Sequence, residues 1–153
     1  MSVPLPAISL VAVPGRRRQT LDLARKIERR GFAGIYVPSR FGNMAQCTAL
    51  ALATKRIPLC TAIAPIYART VEDFAHGAAY LHEVSGGRFR FGIGVAHGLT
   101  HQRLGVTPGS LSETFVSLSR SSNLTRGSGH YRPFCSPRCA REWLNSRPRS
   151  PTA

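Results

Sequence analysis

Histidine titrates nearest to neutral pH, so a histidine in a short loop is the natural first candidate for proton transfer. Here His97 stands in Val95-Ala96-His97-Gly98, directly after an apolar run. Neutral, it could pass a proton; charged, it could pair with a phosphate. A lone histidine is more often structural, and that reading is given to His76 and His82, which fall within a helical pattern. Arg40, in Ser39-Arg40-Phe41, could neutralise an anion or simply be a solvated loop cation. Gly92-Ile93-Gly94 is no dinucleotide fingerprint, because no third glycine follows in a strand-to-helix turn. In the tail, His130, Cys135 and Cys139 suggest a metal at first sight. Their spacing is loose and no second Cys/His pair closes a tetrahedron, so no metal site is expected.

The elements that must position these groups belong to a chain of 153 residues with a formal net charge of +14. That length is about one domain. A hydrophobic content of 42% is that of a globular chain, which excludes wholesale disorder. No apolar stretch is long enough to cross a membrane. The apolar stretch Val3 to Val13 precedes Arg16-Arg17-Arg18, the reverse of a secretory signal. Cys47 and Cys60 lie in apolar segments and form no disulfide framework with the tail pair, which points to a reducing, cytoplasmic setting. A basic chain invites a nucleic-acid reading. No aromatic and basic pattern interleaves, however, and the cations fall on helix faces and in the tail, so nucleic acid is disfavoured as a partner.

From residue 1 to about 105 short apolar runs alternate with helical patterns. Ile8 to Val13 reads as a strand closed by Pro14-Gly15, and Arg16 to Arg30 as a helix with Leu21, Ala24 and Ile27 inward and Leu23 widening that stripe. Gly31 follows as its C-cap. Residues 33–37 form a second strand, 42–56 a second helix and 58–64 a third strand. Thr70 with Asp73 approximates a capping box for a third helix, which Gly86-Gly87 stops. Residues 88–95 supply a fourth strand. This alternation is the signature of right-handed βαβ units on a parallel sheet.

After Gly109 the character changes. Residues 110–153 hold ten Ser and four Pro with scattered Arg and no sustained period. Leu111, Phe115 and Leu118 could make one short amphipathic turn. The remainder reads as a low-complexity, disordered tail or as an out-of-frame ending.

Three segments carry a resemblance. Arg29-Arg30-Gly31-Phe32-Ala33-Gly34-Ile35-Tyr36-Val37-Pro38, then Ala49 to Ile63 with Thr54-Lys55-Arg56-Ile57 inside it, and then Leu81-His82-Glu83-Val84-Ser85-Gly86-Gly87-Arg88-Phe89-Arg90-Phe91-Gly92-Ile93-Gly94 resemble, in order, the luciferase-like monooxygenase family. The deazaflavin-dependent oxidoreductase branch is the nearest in character. The resemblance implies an α/β fold of the (β/α)8 TIM-barrel type. Only the first four strands and three helices are legible, so residues 1–109 read as the N-terminal half of such a barrel and 110–153 as its tail. A smaller open sheet, covered on both faces by the third helix and the tail, is the alternative.

The same resemblance implies a flavin- or deazaflavin-dependent oxidoreductase or monooxygenase, as an incomplete copy with impaired activity. Its cofactor would be the deazaflavin F420 or FMN, and its substrate a small molecule. The alternative is a non-catalytic remnant, or an interaction protein that binds through exposed barrel edges. Active sites in such barrels lie at the C-terminal ends of the strands. That places Ser39, Arg40, Ala62, Ile63, His97 and Gly98 at the cofactor, with His97 also the catalytic candidate. Ser39-Arg40 stands where many relatives resemble one another by an Asp-His pair. A non-proline cis peptide is expected at Ala62-Ile63, backing the ring. A half barrel leaves edges unpaired, so self-association is expected.

Overall fold

A computed structural model describes residues 5–107. The tail, with His130, Cys135, Cys139 and the Leu111–Leu118 turn, lies outside the described residues. The elements run β1 (Ile8–Ser9), α1 (Arg17–Arg29), β2 (Ile35–Pro38), α2 (Asn43–Ala53), β3 (Leu59–Ala62), β4 (Ala64–Pro65), a 3-10 turn (Ile66–Ala68), α3 (Val71–Val84), β5 (Phe89–Arg90), β6 (Ile93–Gly94) and α4 (Gly98–Leu104).

Strands β1, β2, β3 and β5 are parallel neighbours in that order, and β4 pairs in parallel with β6. β3 with β4, and β5 with β6, are thus the third and fourth strands of the sequence reading, each interrupted once. Sequential parallel order, with the right-handed crossovers such units take, winds α1, α2 and α3 onto one face, as in a barrel wall. α1 packs on α2 and α2 on α3. α1, α2 and α3 thus share one face, and the tail that the open-sheet alternative needs on the other lies outside the described residues.

The register explains the layering. Ile8, Ile35, Leu59 and Phe89 lie in one row across the sheet, and the last three are fully buried under the helices. Each such side chain contributes ~1.5–3 kcal/mol through removal from water. The next row, Ser9, Tyr36, Cys60 and Arg90, faces the other way, because side chains alternate along a strand. It runs from an exposed Ser9 through a half-buried Tyr36 to a buried Cys60 and a half-buried Arg90.

Helix ends follow local chemistry. α1 buries Thr20, Ala24 and Ile27, while Leu23, expected to widen its stripe, is exposed. It stops where Gly31 turns left-handed at φ 76° and donates its N–H to the Glu28 carbonyl at 3.0 Å. α3 starts at Thr70, whose hydroxyl accepts from the Asp73 N–H at 3.2 Å, and its first turn carries Glu72 and Asp73 against the positive end of the helix dipole. α4 was not foreseen, since none of its residues is buried and no apolar stripe marks it. β1 is also shorter than its apolar run. Beyond it Gln46 takes over the polar groups, donating to the Leu10 carbonyl at 2.8 Å and accepting from the Ala12 N–H at 3.3 Å.

α2 stops at Ala53 rather than Arg56 because the next residues are claimed by two charges. Glu28 Oε1 accepts the N–H groups of Lys55, Arg56 and Ile57 at 2.9, 2.6 and 2.9 Å. Arg88 donates to the carbonyls of Ala51, Thr54, Ile57 and Ser85 and to the Thr54 hydroxyl, at 2.7–3.1 Å. One acid and one base thereby fasten α1, the loop after α2 and the loop after α3 at the N-terminal end of the sheet. Burial alone would raise the Glu28 pKa, but the three N–H groups and the Arg88 charge outweigh it and hold the carboxyl below its usual 4.5. Burial also pulls the Arg88 guanidinium down, against the pull of Glu28.

A carboxyl depressed in the folded state adds stability that is complete above its unfolded value and is lost as pH falls through the folded one. Urea unfolding should therefore show stability declining below about pH 4.5, with Glu28→Gln flattening that decline. At pH 7 Glu28→Ala should cost about 1.5–3 kcal/mol, the scale of hydrogen bonds to a charged group.

Candidate functional site

At the opposite, C-terminal end of the sheet the third and fourth strands fall out of step. Cys60 pairs with Arg90 and Ala64 with Ile93, so one strand takes four steps where its neighbour takes three. The extra residue makes Thr61–Ile63 a β-bulge, which re-aims the chain and leaves groups outside the ladder. The Ala62–Ile63 peptide within it is cis, at the bond the resemblance singled out.

Two residues satisfy the groups that the bulge frees. The Thr61 hydroxyl donates to the Gly92 carbonyl at 2.8 Å and accepts the Gly92 N–H at 2.9 Å, standing in for a strand neighbour. Asn43, buried at the start of α2, donates its side-chain amide to the Ile63 carbonyl at 3.0 Å. Room is made by Gly92 and Gly94. A Cβ at Gly92 would collide with the Thr61 carbonyl oxygen, and one at Gly94 would stand 3.2 Å from Ile63 Cγ1. The glycine pair rejected as a dinucleotide motif is thus a space requirement of the neighbouring strand.

The predicted residues gather along this edge. Pro38 pairs with Ala62 across β2 and β3, so Ser39-Arg40 and Ala62-Ile63 emerge from adjacent strand ends. Ser39 is half-buried and Arg40 exposed, and Ala62 is exposed after three buried residues. Ile63 is half-buried between β3 and β4. His97 and Gly98 are exposed on the far side, past β6, where Ala96 takes a left-handed φ of 63°. The His97 carbonyl accepts the N–H groups of Thr100 and His101 at 2.8 and 3.2 Å and so opens α4. The end of the described chain is tied back by His101, whose Nε2 donates to the Val95 carbonyl. Its ring meets Tyr67 edge-on with centroids 5.4 Å apart. The Tyr67 hydroxyl is buried and has no hydrogen-bond partner among the described residues.

Sequence reasoning missed Asn43, Thr61, Tyr67 and His101. The signal for the bulge was present in the isolated strand glycines, which mark close backbone approach. Nothing comparable marks Asn43. His76 is exposed and His82 half-buried. Cys47 and Cys60 are buried and form no disulfide among the described residues, and burial, with Cys60 adding to it, pushes the Cys47 thiol well up, away from nucleophilic use. Among the described residues no cluster of three or more His, Cys, Asp or Glu could hold a metal, and no helix is long and apolar enough to cross a membrane.

The family profile described as luciferase-like monooxygenase matches residues 6–116. The chain belongs to the luciferase-like monooxygenase family. No curated protein matches it. Among solved structures it is similar to an F420-dependent secondary alcohol dehydrogenase in complex with an F420-acetone adduct, at 19% identity and TM-score 0.67, over 88% of this chain and 45% of that one. It is also similar to the oxygenating constituent of 3,6-diketocamphane monooxygenase from Pseudomonas putida in complex with FMN, at 18% identity and TM-score 0.62, over 77% and 39%. A third is the F420-dependent tetrahydromethanopterin reductase from Methanopyrus kandleri, at 24% identity and TM-score 0.57, over 70% and 31%. The described residues form part of a TIM-barrel fold of this kind, and the chain spans less than half the length of each of these proteins.

The space requirement has a measurable consequence. Gly92→Ala must move backbone, whereas Gly94→Ala meets the outer atoms of one flexible side chain. Thermal unfolding should show Gly92→Ala costing about 3 kcal/mol or more and Gly94→Ala about 1 kcal/mol or less, on the scale of overpacked sites.

Proposed function

We propose that this chain provides the N-terminal part of a flavin- or deazaflavin-dependent oxidoreductase or monooxygenase. The observation that carries the reading is the bulge, which presents the exposed Ala62 beside Ser39-Arg40 at the C-terminal edge of the sheet. Three features fit a planar ring with a phosphate-bearing tail. Ala62 is small and exposed after a buried run. Gly98 has no atom within 4 Å of where a Cβ would stand. The buried Tyr67 hydroxyl has no partner among the described residues and would gain one from a ligand.

When bound, F420 supplies hydride transfer and FMN supplies hydride transfer or oxygen activation; the protein orients the ring and excludes water. Ala62 and Ile63 back the ring, and Ser39 lines its edge. Arg40 neutralises anionic groups of the coenzyme. His97 holds or passes a proton, or in its charged form pairs with phosphate. Gly98 lets backbone approach closely. The substrate is a small molecule bound above the same edge, and the buried Cys47 and Cys60, in no disulfide among the described residues, accord with a cytoplasmic setting. The later strands of such barrels supply much of the phosphate site.

A second reading rests on the edges. Among the described residues β1 and β5 each pair on one side only, and open edges recruit further strands. They support a reading in which this chain, as an incomplete copy or a non-catalytic remnant, self-associates.

Fluorescence titration of the folded chain with F420 and, separately, FMN checks the first reading. Saturable binding to one of them is expected, weakened about tenfold by His97→Ala or Arg40→Ala, the equivalent of ~1.4 kcal/mol. Absence of binding to both by a chain with α/β circular dichroism contradicts it. Sedimentation velocity checks the second: dimers or larger species are expected, and a monomer across the accessible concentration range contradicts it.

A further inference from the structure

Asn43 does something unusual for its place. Asparagine at a helix start normally serves as the cap, its side-chain oxygen accepting a backbone N–H of the first turn. Here Gly42, at φ 80°, occupies the cap and no side chain caps α2. Asn43 is instead 5% exposed, and its amide donates to the Ile63 carbonyl, twenty residues away. Its backbone N–H donates to the Arg40 carbonyl at 3.2 Å. One residue thus holds both the loop after β2 and the bulge after β3. Those are the two segments that carry Arg40 and Ala62.

We infer that Asn43 is a positioning residue, which locks the Ser39-Arg40 loop to the Ala62-Ile63 bulge so that both face one bound coenzyme. The inference rests on the coenzyme reading above and adds to it a residue that touches neither ring nor substrate. A buried amide costs free energy unless hydrogen-bonded, and an apolar side chain would fill the same space. What the amide adds is direction: it fixes where the Ile63 carbonyl points and hence which face Ala62 offers. Thr61 clamps the bulge from the other side through both polar groups of Gly92. Between the two, the segment has little freedom to turn away.

The test compares Asn43→Ala and Asn43→Asp with wild type. Asp keeps the size, but its carboxylate cannot donate to a carbonyl, and it serves where Ala does not fold. Glu28→Gln, at the opposite end of the sheet, is the control for lost stability. Each chain is titrated with F420 and FMN by fluorescence. The visible circular dichroism of the bound coenzyme, which reports how the ring is held, is recorded beside the melting temperature. We expect both Asn43 variants to weaken binding at least tenfold and to change the visible dichroism, while Glu28→Gln melts earlier but binds as wild type does. Asn43 variants that bind with wild-type affinity and dichroism overturn the inference and leave the coenzyme reading standing. Weakening that Glu28→Gln reproduces at equal loss of stability overturns it as well. A folded wild-type chain that binds neither coenzyme overturns the coenzyme reading and the inference together.

Discussion

One extra residue in the third strand governs the C-terminal end of the sheet. Two parallel strands that leave register must dispose of an unpaired carbonyl and N–H, and of the volume of the added residue. The polar groups go to Thr61 and Asn43. The volume goes to Gly92 and Gly94, whose missing side chains are the space that the Thr61 carbonyl and the Ile63 side chain occupy. Remove Thr61, Asn43 or the space at Gly92 and the strand end must either straighten, which carries Ala62 away from the edge, or leave a buried polar group unpaired. Ser39-Arg40 depends on the same arrangement, because Asn43 ties that loop to the bulge.

The two ends of the sheet are built on different physics. At the N-terminal end Glu28 and Arg88 use charge to hold loops that have no regular structure. Each meets several backbone groups, so removing either strands more than one partner, and the demand there is for stability. At the C-terminal end neutral hydroxyl and amide groups do the holding, and the candidates Arg40 and His97 stand exposed. That division suits a barrel wall whose loops at one face carry the chemistry while the other face fixes the frame. It also keeps the Glu28 carboxylate away from the edge where an anionic ligand would sit.

How far the sequence reveals this depends on the kind of signal. The parallel α/β wall was legible, because Ile35, Val37, Leu59 and Phe89 sit in short apolar runs and Ala24, Ile27, Phe74, Ala78 and Leu81 recur at helical spacing. Gly31, Thr70 and Gly86-Gly87 marked helix ends through chemistry that acts over one turn. The strand ends were placed less well. β1 and α2 proved shorter than their patterns because distant side chains, Gln46 for one and Glu28 with Arg88 for the other, captured the backbone groups that would have continued them. Local periodicity cannot register a partner thirty residues away. For the same reason the bulge was approached through family resemblance, whereas its supports at Thr61, Gly92 and Asn43 emerged only when the strands were laid side by side. α4 escaped because a helix that buries nothing leaves no pattern.

On the proposed reading, the bulged end of the third strand faces the ligand. Methyl-labelled NMR of the full chain, with alanine and isoleucine methyls observed as F420 or FMN is added, checks this. The Ala62 and Ile63 methyls are expected to shift and show contacts to ring protons, while Ala24 and Ile27, on the buried face of α1, stay still. Shifts centred on α1 or on the Glu28–Arg88 end, with Ala62 and Ile63 unmoved, would contradict it.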